Sequence, residues 1–197
     1  MAVTRREMVA ANAVGKHMTL DEFLRLPEIK PALEYVDGVV TQKVSPQGRH
    51  VLLQLRFANR INAFAEPGQL ALALPELRTT YSGLSRVPDI AVYLWHRIPL
   101  REDGQIGDRF VEPPDLAVEI VSPDQRLAAL MTKCIWYVKN GVRIALIADP
   151  DEEVVYRFRP DALPDVLRDD DRIDLDAVLP GFEITVNQLF ALLILNA

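Results

Sequence analysis

The order of local patterns along the chain predicts an α/β domain, in the broad sense that includes α+β, with helices flanking one mixed central sheet. Three observations carry that expectation. The middle of the 197-residue chain reads helix, three or four strands, helix, strand, an alternation that sets helices against a sheet. In PPDLAVEIVSP, residues 113 to 123, both faces of the strand read as buried, since Leu116, Val118 and Ile120 alternate with Ala117, Glu119 and Val121. Hydrophobic residues make up 49% of the chain, enough for one domain of this length to bury a substantial core.

Each element has its own signal. The first 18 residues form no sustained apolar stripe and are expected as a mobile arm or a short helix, leaving 19–197 as a single domain. TLDE at 19 to 22 is a capping box that opens a short helix limited by Pro27. In EYVDGVVTQKV the Asp37-Gly38 pair divides two strand-like runs as a tight turn would. A helical pattern runs from 48 to about 66, where EPG ends it. LALAL and LRTTY read as short strands around Pro75 and VPDIAVYLW as a third, followed by a polar loop from 96 to 114. After the strand bearing Glu119, a helix is expected from about Asp124 to Lys139, stopped by Asn140-Gly141. RIALIADP and EVVYRFR are strands, and DDDRIDLDAVLPGFEITVNQLFALL carries a polar loop, a short strand and a terminal helix.

A net charge of -6 and a pI near 5.1 argue against a protein that coats nucleic acid through bulk charge, but leave room for a local basic groove or a metal-assisted site. The single cysteine, Cys134, rules out an intrachain disulfide and reads as a small core residue. The N-terminus lacks a secretory apolar segment and FALLILNA is too short to span a bilayer, so no membrane association and a cytoplasmic location are expected.

Glu119 raises the chemical question. An ionised carboxylate buried alone costs several kcal/mol. It therefore calls for a buried base, a raised pKa or a metal ion. Asp89 has a similar setting, directly after Pro88 at the entrance to an apolar strand, although it also reads as an Asx-turn residue. Two converging strand acids could hold Mg²⁺, which takes one or two carboxylates and keeps several waters. On the following helix Leu127, Leu130, Met131, Cys134, Ile135 and Val138 form the expected apolar face, and Lys133 lies at its edge beside Leu130 and Tyr137. From there it could bring its ammonium toward the sheet, or remain at the surface as a snorkelling side chain.

VPDIAVY, DLAVEIVSP and the spacing on to Lys133, preceded by ALEYVDGVV and SPQGRH, resemble the Uma-type family of bacterial putative restriction endonucleases, a branch of the PD-(D/E)XK nuclease superfamily. The likeness extends from about Thr19 to LPGFEITVNQLF. It implies a restriction-endonuclease-like core and a metal-dependent endonuclease acting on DNA. It also implies that Asp89 and Glu119 bind Mg²⁺ or Mn²⁺, that Lys133 is the active-site lysine, and that Glu34 and His50 complete the site; by its own residues Glu34 reads equally as a solvated acid at a strand edge. In the superfamily signature the lysine stands two residues after the acid, where this chain has Val121; Lys133 matches the helix-borne lysine of the Uma-type family. That family's helix commonly carries an acid four residues before the lysine, at the place of Ala129 here.

Helical geometry puts His50 on the side of Phe57, Ile61 and Phe64, facing the interior, as a core histidine or, with the resemblance, a proton-handling group. Arg49, Arg56 and Arg60 share another face, read as solvated or as a subunit contact. Tyr81 and Trp95 read as core aromatics, and Ser122 as a strand-end hydroxyl able to hydrogen-bond into the site. Double-strand cleavage needs two sites, so a homodimer is expected. Two rival functions are a non-catalytic DNA-binding or regulatory protein that kept the nuclease fold, and an interaction module in which Asp89, Glu119 and Lys133 form a buried ion-pair network.

Overall fold

A computed structural model describes residues 5–123 and 125–195. Helix α1 (Arg5–Ala11) leads to α2 (Leu20–Phe23), where Thr19 and Glu22 form the expected capping box. Ala10 and Ala13 are buried with Phe23, Leu33, Tyr35 and Val40, so this stretch packs as part of the fold. Residues 1–4, the beginning of the expected arm, lie outside the described residues.

The hairpin of β1 (Leu33–Val36) and β2 (Val39–Gln42) turns at Asp37 and Gly38, with φ of 50° and 86°. Positive φ at both central residues is the type I′ geometry whose twist matches that of the strands. The two-residue turn fixes the register, pairing Val36 with Val39 and Glu34 with Thr41.

The long helix α3 (Gly48–Ala65) is followed by β3 (Ala71–Pro75), β4 (Thr79–Tyr81), β5 (Leu84–Arg86) and β6 (Ile90–Leu94). A 3₁₀ turn at Trp95–Arg97 interrupts the expected loop; β7 (Leu116–Ile120), α4 (Leu127–Lys139), β8 (Ile144–Asp149) and β9 (Val154–Phe158) come next. Asp124, the expected start of α4, lies outside the described residues. The chain closes with β10 (Asp165–Leu167) and α5 (Val186–Ala191). The short strand expected beyond 168 reduces to an isolated bridge between Arg172 and Thr185. There Ile173, Leu175, Val178 and Leu179 bury themselves in the core as an irregular segment instead.

Two sheets form rather than the single one expected. The central sheet has the order β10-β9-β8-β7-β6-β3, with β7 and β8 parallel and joined through α4; the smaller antiparallel sheet runs β2-β1-β5-β4. The extra strand, β5, arises from a second tight turn at Ser82-Gly83, both at positive φ. Pro88 explains the break between sheets. With no N–H to pair, it separates β5 from β6, and the apolar run passes from one sheet to the other.

Strand β7 is buried along its whole length. Leu116, Val118 and Ile120 pack toward α3 and the C-terminal segment, and Ala117 toward α4 with Leu130, Cys134 and Tyr137. The central sheet is thus covered on both faces, and Glu119 points to the α4 side.

The Asp37-Gly38 turn generates a stability prediction. A Cβ at Gly38 meets no close atom, only His17 Nδ1 at 3.7 Å, so the cost of Gly38→Ala is conformational. It should destabilise the protein by about 1 to 2 kcal/mol in urea unfolding. An unchanged midpoint would contradict the turn geometry.

Candidate metal centre and active site

Registry brings acids from three strands into one row. Pro75 pairs with Ile90, and Ile90 with Val118. One step further along both ladders, Glu76 stands opposite Asp89 and Asp89 opposite Glu119. Backbone bonds fix the row: the Glu76 N–H donates to the Asp89 carbonyl at 3.1 Å, and the Ile120 N–H to Asp89 Oδ2 at 2.7 Å.

Two lysines answer these acids from opposite sides. Lys133, on α4, places its ammonium 2.8 Å from Glu34 Oε1 and 2.9 Å from Glu119 Oε1. Glu34 also accepts the Val87 N–H at 2.8 Å, and the Tyr137 hydroxyl donates to Glu119 Oε1 at 2.8 Å. Lys43, just past β2, sets its ammonium 2.6 Å from Asp89 Oδ1 and 2.8 Å from Glu76 Oε1. On α3, Gln54 donates to the Asp89 carbonyl at 2.7 Å. His50 lies with Nδ1 3.0 Å from Ser122 Oγ and Nε2 3.3 Å from Asp89 Oδ1, the latter too poorly aligned to satisfy Nε2 with a hydrogen bond.

All five expected site residues, Asp89, Glu119, Lys133, Glu34 and His50, are buried and brought together. Ser122 does bond into the site. Lys133, however, is buried rather than placed at a helix edge, because the inward face of α4 is centred on Leu130, Lys133, Cys134 and Tyr137, while Ile135 is 40% exposed. The arginine face keeps part of the expected solvation, Arg49 being 56% exposed, but it also binds the chain itself. Arg56 donates to the carbonyls of Leu192 and Ile194, Arg60 to that of Glu183 and Arg49 to that of Pro150, so the stripe holds other parts of its own chain. Phe64, expected to face inward with His50, is 42% exposed.

Lys43, Glu76, Gln54 and the role of Tyr137 were not anticipated. A readable signal existed for Lys43. Since Glu34 pairs with Thr41 and alternate residues share a face, Lys43 belongs to the same sheet face as Glu34.

A mixed sheet with acids at adjacent strand ends and a lysine beside them defines a restriction-endonuclease-like fold. A crystal structure described as a putative nuclease belonging to DUF820 from Anabaena variabilis ATCC 29413 is similar at 37% identity and a TM-score of 0.87, covering 90% of this chain and 99% of that one. The model of the Uma2 family, described as putative restriction endonuclease, matches residues 20–187. The chain belongs to that family. No curated protein matches it. Among the described residues, no helix is long and apolar enough to cross a membrane.

Asp89 and Glu119 are suited to a hard divalent cation. Glu119 Oε2 is buried without a hydrogen-bond partner, a costly condition that an oxygen-seeking ion would relieve. Glu34, Glu76, Asp89 and Glu119 set four carboxylates against the two ammonium groups of Lys43 and Lys133. The further positive charge of Lys30 lies at the exposed rim, 3.8 Å from Glu76. Among the described residues no group of three or more His, Cys, Asp or Glu side chains forms a metal cage. An ion held by Asp89 and Glu119 therefore relies on water and substrate oxygens for the rest of its shell.

The electrostatics separate the acids. Burial opposes ionisation of Asp89, but His50 and Lys43 outweigh it and hold the carboxyl far below the usual range. Glu34 is also lowered, because Lys133 and the Val87 N–H outweigh its burial. Glu119 is raised: burial is the largest cause, Lys133 and Lys43 oppose it, and Asp89 and Glu34 add to it. Both lysines are raised, since their carboxylate partners outweigh the burial that disfavours their charge.

These directions give a pH signature. The folded protein holds the Glu119 proton more tightly than the unfolded chain does. Its stabilising contribution is full below the ordinary glutamate value of 4.5 and is lost as pH rises from there to the raised folded value. In chelator-treated protein, the stability of Glu119→Gln relative to wild type should rise across that interval, as measured by unfolding at successive pH values. A gap that stays constant would contradict the raised carboxyl.

Proposed function

We propose that the protein is a divalent-metal-dependent endonuclease that hydrolyses DNA phosphodiester bonds with water as nucleophile. The observation that carries the reading is the orphaned, buried Glu119 oxygen beside Asp89 in a chain of this family. A cleft of about 300 Å³, lined by Lys30, Lys43, His50, Glu76, Asp89 and Ser122, leads to Asp89 from outside.

Asp89 and Glu119 are the residues that would hold Mg²⁺ or Mn²⁺. A hard divalent cation there supplies Lewis acidity toward a phosphodiester oxygen. Lys133, anchored between Glu34 and Glu119, holds positive charge beside the acids, where phosphate oxygens gain negative charge during attack. Glu34 fixes that ammonium. His50 supports Asp89 and can carry a proton on Nε2, while its Nδ1 faces the Ser122 hydroxyl. Ser122, His50 and Asp89 stand in line, but the ring is reversed relative to an acyl-transfer triad: Nδ1 rather than Nε2 faces the serine, and Nε2 makes no aligned hydrogen bond to Asp89. This supports a positioning role for Ser122 and leaves water as the nucleophile.

Cleavage of both strands implies a homodimer, for which the exposed Val51, Leu55, Ile194 and Leu195 supply apolar surface. A cytoplasmic setting belongs to the same reading. The non-catalytic alternative draws support from the Lys43 ammonium on Asp89, which joins the acids and lysines in an ion-pair network without metal.

Two measurements test the reading. Mg²⁺ or Mn²⁺ at about 100 times its Kd should raise the melting temperature by about 5 to 10 °C, and Asp89→Asn with Glu119→Gln should erase the shift. A shift that survives both substitutions removes the proposed ligands, and no shift in wild type favours the ion-pair network.

Cleavage of duplex DNA then tests Lys133. Removing this lysine alone leaves Glu34 and Glu119 without their buried counter-charge, at a cost of about 3 to 5 kcal/mol. The charge-balanced Glu34→Gln/Lys133→Met variant is the better probe. It should lose about 100-fold or more in cleavage rate while keeping the metal-induced melting shift. Full activity in this folded variant would exclude Lys133 from the chemistry.

A further inference from the structure

Lys43 occupies a peculiar place among the charged groups. Its ammonium sits on Asp89 Oδ1 at 2.6 Å, closer than His50 Nε2 at 3.3 Å, and its side chain is 8% exposed. The same ammonium contacts Glu76 Oε1 at 2.8 Å. It is also drawn toward the buried Glu119 carboxylate. A single cation thus already lies against one acid of the pair suited to a divalent ion and within the field of the other. Unlike Lys133, it borders the open cleft, and Glu76, half-buried at the mouth, offers it a second carboxylate.

Resting on the metal-site reading above, we infer that Lys43 is an internal competitor of the divalent cation: it neutralises Asp89 in the metal-free protein and withdraws to Glu76 when a metal ion takes its place. An ammonium and a dication on one carboxylate oxygen repel each other and compete for the same lone pairs. Withdrawal keeps the lysine paired, because Glu76 already shares it. Lys30, 3.8 Å from Glu76 Oε2, and Gln54, 3.4 Å from Glu76 Oε1, hold that carboxylate at the rim. Asp89 keeps the Ile120 N–H on Oδ2, so its carboxylate does not have to turn. The arrangement stabilises the empty acids while setting a threshold for the metal concentration at which the site fills.

Competition for one site makes a distinctive prediction. If Lys43 sits on Asp89 in nine molecules of ten, the apparent Kd is about tenfold weaker than the intrinsic one. Lys43→Gln should therefore bind Mn²⁺ about tenfold more tightly, measured by the loss of free-ion paramagnetic resonance signal in the absence of DNA. Glu76→Gln removes the alternative partner and should weaken Mn²⁺ binding in the wild-type background. In the Lys43→Gln background it should matter by less than about twofold, since there is no lysine left to park. A Glu76→Gln effect of equal size in both backgrounds would mean that the charge acts only through space, and would overturn the competitor role. So would an unchanged Kd in Lys43→Gln.

Wild-type protein supplies a second readout that does not depend on a variant folding. The Lys43 side-chain Cε resonance should shift as Mg²⁺ saturates the site, and a stationary resonance at saturation contradicts withdrawal. Saturable Mn²⁺ binding abolished by Glu119→Gln but indifferent to Lys43 would overturn this inference alone. No saturable binding in either wild type or Lys43→Gln would overturn the metal centre and the inference together.

Discussion

Carboxylates placed side by side at the ends of adjacent strands repel one another, and much of this structure answers that repulsion. Glu76, Asp89 and Glu119 follow from the pairing of β3, β6 and β7, so the sheet itself creates the conflict. The answer comes from outside the sheet. The hairpin delivers Lys43 and Glu34, and α4 delivers Lys133 and Tyr137. Ion pairs of this kind contribute little net stability, yet losing one partner is expensive because the other remains buried and charged. The small sheet and α4 are therefore locked to the central sheet by charge as well as by packing.

The two lysines are not equivalent. Lys133 lies between two buried acids, with its ammonium 5.9 Å from the centre of the Tyr137 ring, and is surrounded by fixed groups. Lys43 borders the cleft and leans on one buried acid and one at the surface. Glu119, served chiefly from the Lys133 side, keeps one oxygen unsatisfied. This asymmetry marks one flank of the site as permanent scaffold and the other as open to exchange, which suits a centre that must admit an ion and a phosphate.

Periodicity made much of this legible before the structure. The buried β7, the Asp37-Gly38 turn and the helix stop at Asn140-Gly141 each have a local cause that a sequence displays. The convergence of Asp89, Glu119, Lys133, Glu34 and His50 came from the resemblance to a family, because pairing between distant strands leaves no local trace. Lys43 shows the limit best. Its face could have been deduced from hairpin parity, but its partners depend on the docking of two sheets. The second sheet depended on reading Pro88 as a break and Ser82-Gly83 as a turn. Lys133 reads as an edge residue of α4 when an apolar stripe alone marks the inward face; in the structure that face carries Lys133 among Leu130, Cys134 and Tyr137, paired with acids from two sheets.

The arginine stripe of α3 has a consequence for how a polyanion could approach. Arg49 is paired with Asp151, and Arg56 and Arg60 are partly buried against carbonyls of their own chain, so α3 does not present the three as one open basic stripe that draws nucleic acid from a distance. With a net charge of -6 the molecule as a whole repels such a strand. On the nuclease reading, capture would then be a short-range event, depending on bound divalent ions and a few rim lysines more than on electrostatic steering. An encounter of that kind releases few counterions, so its affinity falls only gently with added salt. Slow, weakly salt-sensitive engagement would distinguish this protein from nucleases that rely on a broad basic face.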